Sequence, residues 1–169
     1  MPFAFIGFFL AIPQVTAAGG CIIMPGTMSG ILSPILLQKF GLVLVCMVTA
    51  RNAAMAFNRW TDRDIDAQNE RTKIREIPAG IIKANEALVF TIINCIAFVF
   101  TTWFINPLCF YLSFLALAIV LGYSLTKRFT ALCHFVLGLG LSLAPLGAWI
   151  AVSGKFDYLP LLFSFSVLT

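Results

Sequence analysis

Long apolar stretches, separated by short interruptions, take up most of this chain and most constrain what it can fold into. Of the 169 residues, 60% are hydrophobic and 11% are charged, whereas a soluble domain is about half apolar and about a quarter charged. Such stretches form helices across a bilayer, because lipid offers no hydrogen-bond partners to the backbone. We therefore predict an all-α, polytopic transmembrane bundle. The modest net charge of +4 gives no case for nucleic-acid binding.

We expect five full spans and the start of a sixth. The five are residues 3–24, 35–57, 84–104, 108–124 and 131–152. The last apolar run, 158–169, is shorter than the about 20 residues that a span needs. We therefore expect 1–169 to be a single transmembrane domain that stops within its sixth helix. It would be the N-terminal part of a longer protein, or a chain whose remainder a partner provides.

The charges of the chain gather in one polar segment, residues 51–83. It holds seven of the eleven Lys and Arg residues, and six of the seven acidic residues lie in it or just beyond it. Charges close to a bilayer are costly and usually mark function. Arg51 begins the segment within the last turns of the second span, so we expect it to face the protein interior.

Within the polar segment, Asn58, Asp62 and Asp66 recur every fourth residue. On a helix this spacing places one amide and two carboxylates on one face, where the like charges repel unless a cation lies between them. Oxygen ligands of this kind suit Mg²⁺, whose other positions are filled by water and phosphate oxygens. Arginines nearby suit a polyanion that arrives with the metal. The alternative is a solvated loop of mixed charge.

The basic residues also predict the orientation of the chain. The loop between the second and third spans is rich in Arg and Lys, and the loop between the fourth and fifth holds Lys127 and Arg128. The opposite loops hold only Lys39 and Lys155. The positive-inside rule therefore places the polar segment in the cytoplasm, most simply at a bacterial inner membrane. Lys127 follows Tyr123 by four residues, so the two could meet a phosphate there or serve as an interfacial anchor pair.

Three ordered motifs resemble those of the UbiA-type superfamily of membrane prenyltransferases. NRWTDRDID resembles NxxxDxxxD, ERTKIREIPAG resembles RTxxRxxPxG, and GYSLTKRFT resembles YxxxK, while PLGAWIAVSG fits the family's fifth helix. The residues around the first motif are most similar to those of the 4-hydroxybenzoate polyprenyltransferases. It is also similar to the enzymes that prenylate a naphthoate in the futalosine route to menaquinone.

The resemblance implies nine transmembrane helices around a cavity open to lipid, a Mg²⁺ cofactor and a polyprenyl diphosphate donor. The acceptor would be 4-hydroxybenzoate or a similar aromatic acid, in ubiquinone or menaquinone biosynthesis. The implied site residues follow the motifs. Asn58, Asp62 and Asp66 would hold the metal, with Asp62 and Asp66 catalytic; Arg63, Tyr123 and Lys127 would contact the diphosphate, and Arg128 would meet the acceptor's carboxylate.

The chain departs from the family in lacking its second aspartate-rich motif, roughly DxxxD, which follows the sixth helix. Alone it would hold half of an active site, so an inactive truncated remnant is one alternative to an enzyme. A transporter that uses carboxylates as ion ligands is another, although it would want charges near helix centres rather than at a helix end.

Overall fold

The described part of the chain is a bundle of helices without strands. A computed structural model describes residues 2–18, 34–126, 133–154 and 158–168. The helices are α1 (Pro2–Ala18), α2 (Pro34–Gln68), α3 (Ala84–Ile105), α4 (Pro107–Thr126), α5 (Cys133–Ser153) and α6 (Tyr158–Leu168). The segments Leu37–Gln68, Ala84–Ile105, Pro107–Thr126 and Phe135–Ser153 are long and apolar enough to cross a membrane. The prediction of an all-α bundle with membrane-spanning helices is confirmed.

The second helix is longer than the apolar run that predicted it. That run ends at Phe57, but α2 continues to Gln68 and carries the first half of the polar segment with it. The added residues include neither Gly nor Pro, so nothing in them interrupts the helix. The residues between the first and second predicted spans lie almost wholly outside the described residues.

The helix α1 packs closely against α5. A buried cluster combines Phe8 and two alanines of α1 with Trp149, Ile150 and their neighbours on α5. The two helices come closest at Gly7, where an added Cβ would lie 2.5 Å from the carbonyl oxygen of Pro145 and 2.8 Å from its Cα. Only a residue without a side chain allows α1 this near the α5 backbone.

Two polar side chains hold the C-terminal end of α5. Lys39 Nζ on α2 donates to the carbonyl of Val152 (3.2 Å), and Asn106 Nδ2 donates to the carbonyl of Ile150 (3.3 Å). Asn106 is the single residue between α3 and α4. Lys39 binds a carbonyl of the last helical turn, and Asn106 adds a second donor to the Ile150 carbonyl, which also accepts from Gly154 N (2.8 Å). The helix α2, the α3–α4 turn and α5 are therefore joined at the end away from the polar segment.

Replacing Gly7 with Ala should destabilise the fold by about 1–3 kcal/mol, because the new methyl group meets backbone atoms that cannot rotate away. Thermal unfolding in detergent micelles measures this as a lower Tm. Gly41→Ala on α2 is the matched control, since an added Cβ there meets nothing within 4 Å. Equal Tm values for the two variants would contradict the close contact of α1 with α5.

Candidate active site

The last three turns of α2 carry Asn58, Asp62 and Asp66. Each step of four residues turns the helix by about 40° beyond a full circle, so the three side chains share a sector of about 80°. Asp62 and Asp66 are buried, with 8% and 7% of their surfaces exposed, and Asp62 Oδ1 is shielded from solvent. Asn58 is half-buried. The helix that the spacing required is therefore present, with two buried carboxylates on one side of it.

Residues 69–83 form a return loop that folds back against the end of α2. Thr72 Oγ1 donates to the carbonyl of Asp66 (3.1 Å), and Ile81 N donates to the carbonyl of Glu76 (3.0 Å). Gly80 has a φ of 76°, a left-handed conformation that suits glycine. The turn that its Pro-Ala-Gly sequence predicts is thus present.

Two ion pairs join the return loop to α2. In one the loop provides the arginine, and in the other it provides the carboxylate. Arg75 Nη1 lies 2.8 Å from Asp66 Oδ2, and Arg59 Nη1 contacts Glu76 Oε2. Arg59 and Asp66 are about two turns apart on α2, whereas Arg75 and Glu76 are adjacent in the loop. The sequence placed arginines near the carboxylates but did not predict that one of them binds Asp66. The signal for this contact was the RTxxR motif, whose second arginine is Arg75.

The pKa of the Glu76 carboxyl is held below its usual range, chiefly by the hydrogen bond from Arg59. The charged form of Glu76 is therefore favoured in the folded loop, and protonation works against the contact.

Arg63, one of the residues predicted to contact the diphosphate, is held by neighbours on its own helix. Arg63 Nε lies 3.4 Å from Asp64 Oδ1, and its Cζ lies 5.1 Å from the centre of the Trp60 ring. On α2, Arg63 is about 60° from Asp66 in angle, on the side away from Asn58. These contacts hold the Arg63 guanidinium against Trp60, beside the carboxylate face rather than over it.

Tyr123 is half-buried in the last turn of α4. Successive spanning helices alternate in direction, so α4 ends at the same side of the bundle as α2. Tyr123 therefore lies on the side of the membrane where the carboxylate face stands. Lys127 and Arg128 lie outside the described residues.

A cavity of about 400 Å³ opens among α1 to α5, beginning one turn before Asn58. On α2 it is lined by Val43, Met47, Ala50 and Ala54, and the α5 side is formed largely by Gly and Ala residues. Arg51 also lines the cavity, although much of the residue is exposed. Arg51 was expected to face the interior; it borders the cavity but is exposed. The sequence did not reveal that it places a cation beside an otherwise apolar chamber.

The donor set on the carboxylate face fits a hard divalent ion. Among the described residues, no three His, Cys, Asp or Glu side chains gather as a metal cluster. An ion on this face would therefore depend on the Asn58 amide, the two carboxylates and outside oxygens. Mg²⁺ accepts that combination, because it commonly takes one or two carboxylates and completes its shell with water and phosphate.

A sequence profile described as the UbiA prenyltransferase family matches residues 2–169. The chain belongs to this family. A UbiA homolog from Aeropyrum pernix K1, solved in its apo form, superposes with a TM-score of 0.75 at 27% identity, covering 99% of this chain and 56% of that one. UbiA membership and the spanning helices together make this a multi-pass membrane protein.

Two kinds of curated UbiA-related enzyme are similar to the chain. A protoheme IX farnesyltransferase from Granulibacter bethesdensis is 33% identical over 147 residues, which cover 85% of this chain and 44% of that protein. A 4-hydroxybenzoate octaprenyltransferase from Vibrio atlanticus is 33% identical over 109 residues, covering 64% of this chain and 38% of that protein. The chain thus spans less than half the length of these relatives.

Acidification should release the return loop. Because the pKa of Glu76 is lower in the folded loop than its ordinary value of 4.5, the stabilisation of the loop by the Arg59–Glu76 pair is fully present above that ordinary value. It is lost as the pH falls through the lowered pKa. A nitroxide label on Ile74→Cys, an exposed position in the loop, should become more mobile by EPR only below about pH 4.5.

In a Glu76→Gln variant, the label on the loop should be mobile across the whole range from pH 7 to pH 3, because this variant lacks the carboxylate that titrates. A labelled parent chain without the new cysteine corrects for the native thiols. A wild-type spectrum that does not change with pH would show that the Arg59–Glu76 pair does not hold the loop.

Proposed function

We propose that this chain takes part in moving a polyprenyl group from a polyprenyl diphosphate to an aromatic acceptor at the cytoplasmic side of a bacterial inner membrane. The observation that supports the proposal is a face with two buried carboxylates on the same helix that lines a largely apolar cavity, in a chain of the UbiA prenyltransferase family. The segment 1–169 would act as one transmembrane domain. Transport through the bundle is disfavoured, because the charges lie at the end of α2.

Asn58, Asp62 and Asp66 would hold Mg²⁺, with Asp62 and Asp66 as the catalytic carboxylates. A Mg²⁺ ion held there neutralises the diphosphate and makes it a better leaving group. Burial of the two carboxylates strengthens their attraction for a cation, since water competes less. Arg63, Tyr123 and Lys127 are the proposed contacts to the diphosphate oxygens, and Arg63 can turn from Trp60 to reach them.

The cavity would take the first part of the prenyl chain. At about 30 Å³ for each carbon-sized group, 400 Å³ accommodates roughly two to three isoprene units, so the rest of a long tail would extend into lipid. When the diphosphate leaves, an allylic cation remains on the prenyl chain. The apolar walls keep water from capturing it, so an electron-rich ring carbon of the acceptor attacks instead and then loses a proton.

The acceptor proposed first is 4-hydroxybenzoate or a similar aromatic acid, such as the naphthoate of the futalosine route, and the pathway is that of ubiquinone or menaquinone. A cation that could pair with its carboxylate is present at the cavity wall in Arg51. Arg128, proposed from the resemblance, is the other candidate for that contact. Protoheme is the second candidate acceptor, because a protoheme IX farnesyltransferase matches the larger share of this chain.

The activity test uses the protein in lipid nanodiscs with Mg²⁺, farnesyl or longer polyprenyl diphosphate, and either acceptor. Prenylated 4-hydroxybenzoate, detected by mass spectrometry, supports the first candidate, and prenylated haem supports the second. No product with either acceptor supports the alternative of a chain that is inactive by itself. Because the chain spans less than half of its relatives, the assay is repeated with the C-terminal part of a UbiA relative co-expressed, and activity that then appears supports the proposed function.

In that assay Asp62→Asn should lower kcat at least about a hundredfold, because a neutral amide gives up the charge that holds the metal. Glu70→Gln removes one carboxylate from an exposed position just beyond α2 and should retain activity. If Asp62→Asn transfers the prenyl group as fast as the parent, the metal role of this face is wrong.

Replacing Arg51 with Gln should raise the KM for the aromatic acid about tenfold or more and leave the KM for the diphosphate substrate nearly unchanged, because a lost charge-assisted contact affects only the partner that made it. The same measurement on Arg128→Gln separates the two candidates. A rise in KM for Arg128→Gln alone would remove Arg51 from the acceptor site.

A further inference from the structure

One oxygen of the buried Asp66 carboxylate is bound to Arg75, so the guanidinium competes with a metal ion for this side chain. Asp66 Oδ2 and Arg75 Nη1 are 2.8 Å apart, and the Asp66 side chain is 9% exposed while that of Arg75 is 43% exposed. The carboxylate is therefore enclosed, and the guanidinium that covers it reaches solvent. Of the two partners, Arg75 is the one that can move.

The return loop can stay in place while Arg75 moves. Thr72 holds the backbone carbonyl of Asp66 and leaves its carboxylate alone, and Glu76 is held separately by Arg59. Both contacts persist without the Arg75–Asp66 pair. Exchange of that one ion pair therefore does not require the loop to unfold.

A divalent ion and a diphosphate affect this pair differently. An ion arriving alone would have to displace the guanidinium and leave it facing a dication, which repels it. A diphosphate that arrives with the ion offers the displaced guanidinium oxygens to bind, so the same exchange becomes favourable.

We propose that Arg75 makes metal binding at Asp66 dependent on the diphosphate. Without substrate, Arg75 is the counterion of Asp66; with substrate, the metal takes Asp66 and Arg75 passes to the diphosphate. The site then binds the metal with its substrate and resists loading by a free cation. This inference rests on the proposed metal role of Asn58, Asp62 and Asp66.

Equilibrium dialysis of Mn²⁺ against the protein in nanodiscs tests the exchange without an activity assay. Free Mn²⁺ and, where present, inorganic pyrophosphate are kept equal on both sides. For the parent, pyrophosphate should raise the Mn²⁺ affinity. Arg75→Gln should bind Mn²⁺ alone about fivefold more tightly than the parent, because a competing half-exposed ion pair is gone. Pyrophosphate should also raise the Mn²⁺ affinity of Arg75→Gln by less than it raises that of the parent. Arg75→Lys, which keeps the charge, should bind Mn²⁺ as the parent does.

Arg71→Gln is the matched control, since it removes the same charge from an exposed position in the same loop. It should leave the affinity for Mn²⁺ alone unchanged. An Arg75→Gln affinity for Mn²⁺ equal to or below that of the parent, or a rise that Arg71→Gln reproduces, would overturn the inference. Thermal unfolding confirms that each variant is folded.

Asp62→Asn separates this inference from the proposed function. If the parent binds Mn²⁺ with pyrophosphate, Asp62→Asn does not, and Arg75→Gln behaves like the parent, the metal face stands and the exchange by Arg75 is wrong. If Asp62→Asn binds Mn²⁺ as the parent does, the metal face itself is wrong and the inference fails with it.

Discussion

Two carboxylates buried at the end of a membrane helix need compensating charge, and the rest of the site is arranged around that need. Burying a charge without a partner is costly. Arg75 compensates Asp66 directly, and the neighbouring Glu76 pairs with Arg59. Two ion pairs and the hydrogen bond from Thr72 therefore join this loop to the end of α2. Contacts of this kind can be exchanged for contacts with a charged substrate.

The continuity of α2 links the charged site to the apolar interior. One helix carries the cavity lining at Met47 and Ala54 and, in its next turns, Asn58 and Asp62. A prenyl diphosphate has the same division, with a charged head and an apolar tail. One continuous helix would thus meet both parts of the proposed substrate, while the contacts of Lys39 and Asn106 hold the far end of the bundle.

The similarity to known proteins identifies the fold of this chain but not its acceptor substrate. Almost the whole chain superposes on a solved UbiA homolog, yet the curated relatives include enzymes named for protoheme and for 4-hydroxybenzoate. A shared helical scaffold does not choose between them, since specificity depends on the few side chains that meet the acceptor. Arg51, a cation at the wall of the cavity, is the described side chain that we propose for this contact.

The sequence by itself determined the helical membrane bundle, the approximate limits of α3 to α5 and the stacking of Asn58, Asp62 and Asp66, because hydropathy and helical period are local properties. It did not reveal how far α2 continues, since an apolar run ends where the bilayer ends and a helix need not. Only the tertiary structure decided that Arg75 rather than Arg63 contacts Asp66, and that Gly7 meets Pro145. These contacts depend on how the return loop folds and how α1 packs on α5. The second contact brings together residues far apart in the chain, and the first depends on the conformation of a loop, which hydropathy and helical period do not specify.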